Sequence, residues 1–174
     1  MEITILIFLF GGLFLGWSLG ANDAANVFGT AVGTRMVSFT SAAIVCSIFV
    51  ILGAIISGAG TTETLGKLGA INALPGAFAA CVAAGVSVYL MTKVGLPVST
   101  TQAIVGAIVG WNLYTGSSTN IQVLMTILAT WIICPIIAGI IAMGLFTFTK
   151  RVILNRKLHI LRLDAYTRTA LLLA

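Results

Sequence analysis

The chain has 174 residues, of which 59% are hydrophobic and only 7% charged, against roughly 25% charged in an ordinary soluble domain. A soluble fold of this size could not clothe its surface with so few charges, which excludes a soluble enzyme, a nucleic-acid binder and a disordered linker. The composition is that of a multi-pass protein of the lipid bilayer, expected in the cell (inner or plasma) membrane.

The net charge of +5 is unevenly placed. Residues 1–149 balance Arg35, Lys67 and Lys93 against Glu2, Asp23 and Glu63, whereas the last stretch holds Lys150, Arg151, Arg156, Lys157, Arg162 and Arg168 against Asp164 alone. The chain therefore divides into a membrane domain, 1–149, and a basic tail, 150–174. The positive-inside rule makes that tail cytoplasmic, either an amphipathic surface helix or a linker toward a second half. Met1–Gly20 lacks a positive n-region and a cleavage site, so it is read as a retained first span.

Apolar stretches predict the elements in order. Ile3–Gly20, Val37–Gly58 and Asn72–Thr92 are each long enough to span. Ala103–Tyr114 is too short, at about 18 Å of helix, and Ile121–Thr149 is long enough to tilt. The expected fold is all-α, with about five crossings that include broken or half helices, N-terminus outside and C-terminus inside. On this scheme Glu63 and Lys67 lie outside, and Arg35 and Lys93 inside. Glycines four apart (Gly12, Gly16 and Gly20; Gly29 and Gly33; Gly106 and Gly110) are read as helix-packing positions. Cys46, Cys81 and Cys134 have no metal or redox spacing and are read as packing residues.

Two interruptions carry the chemistry. The segment Gly20–Thr30 sets Asn22, Asp23 and Asn26 between apolar flanks, at spacings that put all three on one helix face. An Asp at the centre of a membrane helix costs about 2.5–3.5 kcal/mol, so Asp23 requires a partner, a proton or a cation. Oxygen ligands of this kind suit Na⁺. The second interruption is Leu96-Pro97-Val98-Ser99-Thr100-Thr101-Gln102. Pro97 disfavours helix at Leu96, and the following hydroxyls can cap a half-helix whose free N–H groups and positive end attract an oxyanion. Paired broken helices of this type mark secondary-transporter sites.

The segment Gly20–Thr30 resembles the signature of the inorganic phosphate transporter (PiT) family, and Leu96–Gly106 resembles that family's second motif, in the same order. The resemblance runs from about Ile3 to Phe148. It implies one repeat of an inverted-repeat symporter that imports inorganic phosphate with Na⁺, favoured over H⁺. By the same resemblance Asn22, Asp23 and Asn26 hold the cation. Asn22, Ser99, Thr100, Thr101 and Gln102 hold phosphate. One copy of each motif implies an N-terminal half, whether a fragment, a cleaved chain or a half-size protein, completed by a second half or another copy in an oligomer. Some relatives carry an acidic residue in the second span, where this chain is apolar around Val50.

Charge bookkeeping supports cation coupling without the resemblance, because phosphate and Asp23 are both negative and no Lys or Arg lies beside either motif in sequence. The alternatives are a sulfate or other oxyanion transporter, and a non-transporting channel or assembly subunit. His159 has no catalytic companions, so no enzyme and no cofactor beyond the coupling ion is expected, and no nucleic-acid partner.

Overall fold

The computed structural model describes residues 2–69, 74–151 and 164–169. Five helices follow one another: α1 Glu2–Gly33, α2 Phe39–Leu68, α3 Leu74–Lys93, α4 Thr100–Thr115 and α5 Ile121–Thr149. All but α4 are long and apolar enough to cross a membrane. The protein is thus an all-helical, multi-pass membrane protein of five helices, one of them half-length, as the sequence predicts.

Two boundaries differ from expectation for physical reasons. The interruption expected over 20–30 is absent, and α1 runs unbroken through the motif to Gly33. Ala21, Ala24 and Ala25 favour helix, and the polar side chains among them are satisfied from outside the helix. α2 continues past Gly58 to Leu68. There Thr62 and Thr64 return their hydroxyls to the carbonyls of Gly58 and Gly60, and Lys67 pairs with Glu63 one turn away, which lets a polar segment stay helical.

Neighbouring contacts fix the directions of the helices. Phe78 meets Phe8 edge-on with ring centroids 5.6 Å apart, Tyr89 packs on Trp17 at 5.6 Å, and Thr92 reaches Asn22. α3 therefore runs parallel to α1. α4 returns antiparallel, ending with Trp111 against Gly76 near the start of α3. At that same end the Asn120 N–H donates to the Leu68 carbonyl at 3.0 Å, joining the start of α5 to the end of α2. Leu68, Ala80, Val105, Ile108 and Ile127 form the main apolar cluster there. A smaller cluster of Ala31, Val37 and Ala42 closes the α1–α2 turn at the opposite end.

The α3–α4 hairpin is shorter than α1, and its tip falls within the bundle. From Asn22, level with the tip, α1 continues eleven residues to Gly33, about 16 Å. From the tip, α4 runs twelve residues to Asn112 at the other end, about 18 Å. The tip thus lies inside the bundle, about 16 Å short of the Gly33 end. The chain turns back there, so Lys93 stands short of the inner end to which the sequence assigned it.

Close approach of α1 and α3 rests on glycines other than the predicted ones. A Cβ on Gly85 would lie 2.7 Å from the Phe14 ring, and one on Gly11 2.8 Å from Phe78. Gly12, Gly16, Gly20, Gly29, Gly33, Gly106 and Gly110 face open space instead. The face used is that of Gly11, Ser18 and Asn22, all buried, because Asn22 must meet the hairpin tip and fixes the rotation of α1.

The basic tail falls mostly outside the described residues, His159 included. Its described turn, 164–169, is helical. Arg168 there pairs with Asp164 at 2.8 Å and donates to the Met36 carbonyl at 3.1 Å, which places this turn at the same end as Arg35.

Gly85→Val is expected to lower stability by about 1–3 kcal/mol through overpacking, while Gly16→Val, in open space, stays within about 0.5 kcal/mol. Thermal unfolding of both variants in one detergent measures the difference.

Candidate functional site

The hairpin tip is built by three successive local rules. Gly95 takes a left-handed φ of 79°. Its N–H bonds to the Thr92 carbonyl, and the Leu96 N–H to that of Met91, both at 3.0 Å, a Schellman ending to α3. Pro97 then keeps the chain extended. Ser99, also extended, caps α4 by accepting the Gln102 N–H at 3.3 Å. This leaves Val98 with a backbone donor and acceptor that neither helix can satisfy.

Asn22 of α1 satisfies both. Its Nδ2 donates to the Val98 carbonyl at 2.6 Å, and its Oδ1 accepts the Val98 N–H at 3.4 Å. The same Oδ1 accepts from the Thr92 hydroxyl at 3.4 Å, and the second Nδ2 hydrogen goes to Asp23 Oδ1 at 2.7 Å. All four hydrogen-bonding positions of the amide are filled, and the residue is 4% exposed. Asn22 locks the hairpin to α1 as a strand edge would.

Asp23 is half-buried and held from both sides. Oδ1 accepts from Asn22, and Oδ2 accepts from the Thr100 hydroxyl at 3.2 Å. Thr100 is itself buried at the first turn of α4, so the carboxylate also sits at the positive end of that helix. Hydrogen bonds to a charged group are worth about 1.5–3 kcal/mol each. Two of them match the cost of an intramembrane Asp in size, and no cationic side chain pairs with it among the described residues.

The other predicted site residues divide. Ser99 caps, while the Thr101 and Gln102 side chains are exposed on the first turn of α4 without hydrogen bonds among the described residues. The N–H groups of Thr100 and Thr101 have no acceptor among those residues. Asn26, one turn beyond Asn22, is exposed and makes no hydrogen bond there. The structure brings Asn22, Asp23 and Thr100 together, sets Ser99, Thr101 and Gln102 on the rim beside them, and leaves Asn26 apart.

Sequence reasoning missed several residues. The backbone of Val98 and the hydroxyl of Thr92 carry no sequence signal. Ser18, one turn before Asn22, is 1% exposed with an unpartnered hydroxyl among the described residues; its spacing to Asn22 was the available clue. Lys93 follows Thr92 directly. Its ammonium lies 5.6 Å from the Tyr89 ring centroid, so a positive charge does stand near the tip.

The site thus joins a hairpin tip inside the bundle, a carboxylate held by neutral donors and the N-terminus of α4. Comparison with known proteins gives the family. The model of the phosphate transporter family matches residues 19–171, and the chain belongs to that family. It is 35% identical over 167 residues to a protein of Thermococcus kodakarensis named "Putative phosphate permease", covering 90% of this chain and 41% of that protein. It is 34% identical to a sodium-dependent phosphate transporter of Plasmodium falciparum, over 83% of this chain and 23% of that one. A solved structure titled "The sodium-dependent phosphate transporter" superposes with a TM-score of 0.77 at 29% identity, over 90% of this chain and 41% of that chain. The chain thus spans about two fifths or less of the length of these relatives.

Asn22→Leu is expected to strip both Val98 groups of their partner and to cost about 1–3 kcal/mol, with hydrogen exchange accelerated at Val98 while α5 is unchanged. Gly95→Ala is expected to cost about 1–2 kcal/mol from the left-handed backbone alone, read as a lower melting temperature in the same detergent.

Proposed function

We propose that this chain supplies one half of the site of a secondary transporter that imports inorganic phosphate with a cation, Na⁺ ahead of H⁺. The observation that carries the reading is the position of Asp23. An intramembrane carboxylate, held only by neutral donors, shares the N-terminus of α4 with the exposed Ser99, Thr101 and Gln102. The names of two relatives, sodium-dependent phosphate transporters, support the same substrate and ion.

The chemistry follows from the charges. The free N–H groups of Thr100 and Thr101, the hydroxyls of Ser99 and Thr101 and the Gln102 amide form a cradle for tetrahedral oxygens. Asp23, bound to Thr100, repels an anion entering that cradle. A cation on Asp23 removes the repulsion, so each ion favours the other without direct contact, which is a coupling free energy between two sites. Asn26 would join the cation ligands only by a turn of its side chain toward Asp23. Asn22, whose amide is fully occupied, contributes the placement of the tip and would offer its Oδ1 to an ion only by releasing Thr92. A second half, or another copy of the chain, closes the cradle from the side left exposed here, and the lipid bilayer separates the two compartments.

Uptake of labelled phosphate into proteoliposomes, with and without a Na⁺ gradient, tests the reading, both for this chain alone and with any second half. Sodium-driven uptake is expected, and Asp23→Asn is expected to abolish its dependence on the cation. Thr101→Val, which removes a cradle hydroxyl but no cap, is expected to raise KM for phosphate several-fold without changing the melting temperature. Ser99→Ala adds a capping loss of about 1 kcal/mol. Wild-type uptake in both Asp23→Asn and Thr101→Val would overturn the site, and uptake of sulfate in place of phosphate would overturn the substrate.

A further inference from the structure

Lys93 ends α3 at the hairpin tip, and its side chain folds back along the helix rather than toward either end of the bundle. The ammonium lies 5.6 Å from the centroid of the Tyr89 ring, and that ring packs on Trp17 of α1. From Trp17, α1 continues sixteen residues to Gly33, about 24 Å. From Tyr89 back to the start of α3 at Leu74 is fifteen residues, about 22 Å. A lysine side chain is shorter than either distance and folds away from the nearer end, so it does not carry the charge to an end of the bundle. The Lys93 side chain is exposed on the chain. The ion pairs among the described residues are Glu63–Lys67 and Asp164–Arg168, neither of which involves it. A cation–π contact neutralises only part of the charge and leaves the ammonium hydrogens without acceptors.

The tip beside it is also uncovered: Val94 and Leu96 are 75% and 53% exposed, and non-helical backbone within a membrane is viable only against protein or water. We infer that the face bearing Trp17, Tyr89 and Lys93 lines the water-filled route to the site, and that Lys93 is the residue that draws the oxyanion along it. The inference deepens the phosphate reading and rests on it for the identity of the anion. The aromatic pair holds the stem of the lysine, and the free ammonium hydrogens meet phosphate oxygens that arrive before the cradle is filled. No ion pair joins Lys93 to Asp23 among the described residues, so each charge is left for a mobile ion, Lys93 for the anion and Asp23 for the cation.

The test places a single cysteine, Lys93→Cys, in a chain whose Cys46, Cys81 and Cys134 are replaced by Ala, reconstituted in proteoliposomes. Membrane-impermeant thiosulfonates are expected to modify the introduced thiol, and inorganic phosphate at saturating concentration to slow that reaction several-fold. Modification that attaches an aminoethyl group is expected to restore phosphate affinity, whereas an ethylsulfonate group is not. Separately, Lys93→Gln is expected to raise KM for phosphate about tenfold with kcat within about twofold, and Lys93→Arg to stay near wild type. A thiol that does not react, in a protein that takes up phosphate normally, would overturn the inference by showing that a partner's side chains cover this face. Ready labelling with an unchanged KM in Lys93→Gln would overturn the anion role. Ready labelling of the Lys93→Cys thiol, together with a wild-type chain that neither binds nor transports phosphate, would instead count against the phosphate reading itself, and the anion role would fall with it.

Discussion

The structure depends on one side-chain amide taking the place of missing backbone partners. Breaking a helix at mid-depth exposes an N–H and a C=O where no water is guaranteed, and each such group costs several kcal/mol in hydrocarbon. Here the extended residue is Val98, and Asn22 meets its donor and its acceptor together. An Asp at that position could not donate to the carbonyl, and a Leu could do neither. The rotation of α1 follows from this requirement. With Asn22 turned to the tip, Ser18 and Gly11 lie on the same face, and α3 packs close there because Gly11 and Gly85 leave room for Phe78 and Phe14.

The same rotation sets the electrostatics. Asp23 follows Asn22 and therefore falls to the α4 side of the contact, where the Thr100 hydroxyl reaches it. A helix N-terminus that could serve a bound anion instead already faces a carboxylate. In a medium of low dielectric that arrangement makes the occupancy of the helix end sensitive to whatever neutralises Asp23. On the proposed function, this contact is where a cation and an anion would influence each other.

Much of this was legible in the sequence, and what was not has identifiable causes. Pro97 and the Ser-Thr-Thr run announced a break and a cap, and α4 begins where they place it. The Asn and Asp residues were visible as costly in an apolar run. Their periodicity suggested that Asn22, Asp23 and Asn26 act as one face, yet Asn26 stands apart because the tip is small and reaches only the turn of Asn22 and Asp23. A break at 20–30 was expected because polar residues usually end a membrane span; the alanines between them and the bonds from the hairpin keep α1 helical. The depth of the tip was not legible, since composition fixes the length of a segment but not where its end meets a neighbour. That one unknown sent Lys93 to the membrane surface in the sequence reading.

Packing is uneven across the five helices, and the unevenness has a mechanical meaning. α1, α3 and α4 are bound by close glycine contacts, the aromatic pairs and the Asn22 lock, so the site residues ride on one body. α2 meets α1 at the turn closed by Ala31, Val37 and Ala42, and meets α4 and α5 through Leu68. Between those ends α1 and α2 diverge, leaving a groove lined by Gly20, Ala24, Phe28, Cys46 and Val50. Along α5, Ile132, Ile136, Ile140 and Phe148 are exposed. A movement that opened or closed one side of the site would cost least where few side chains interdigitate, at the α1–α2 groove and along α5, and most across the α1–α3 contact. The Asn22–Val98 pairing would then survive the movement intact, because breaking it exposes the backbone groups that it exists to satisfy.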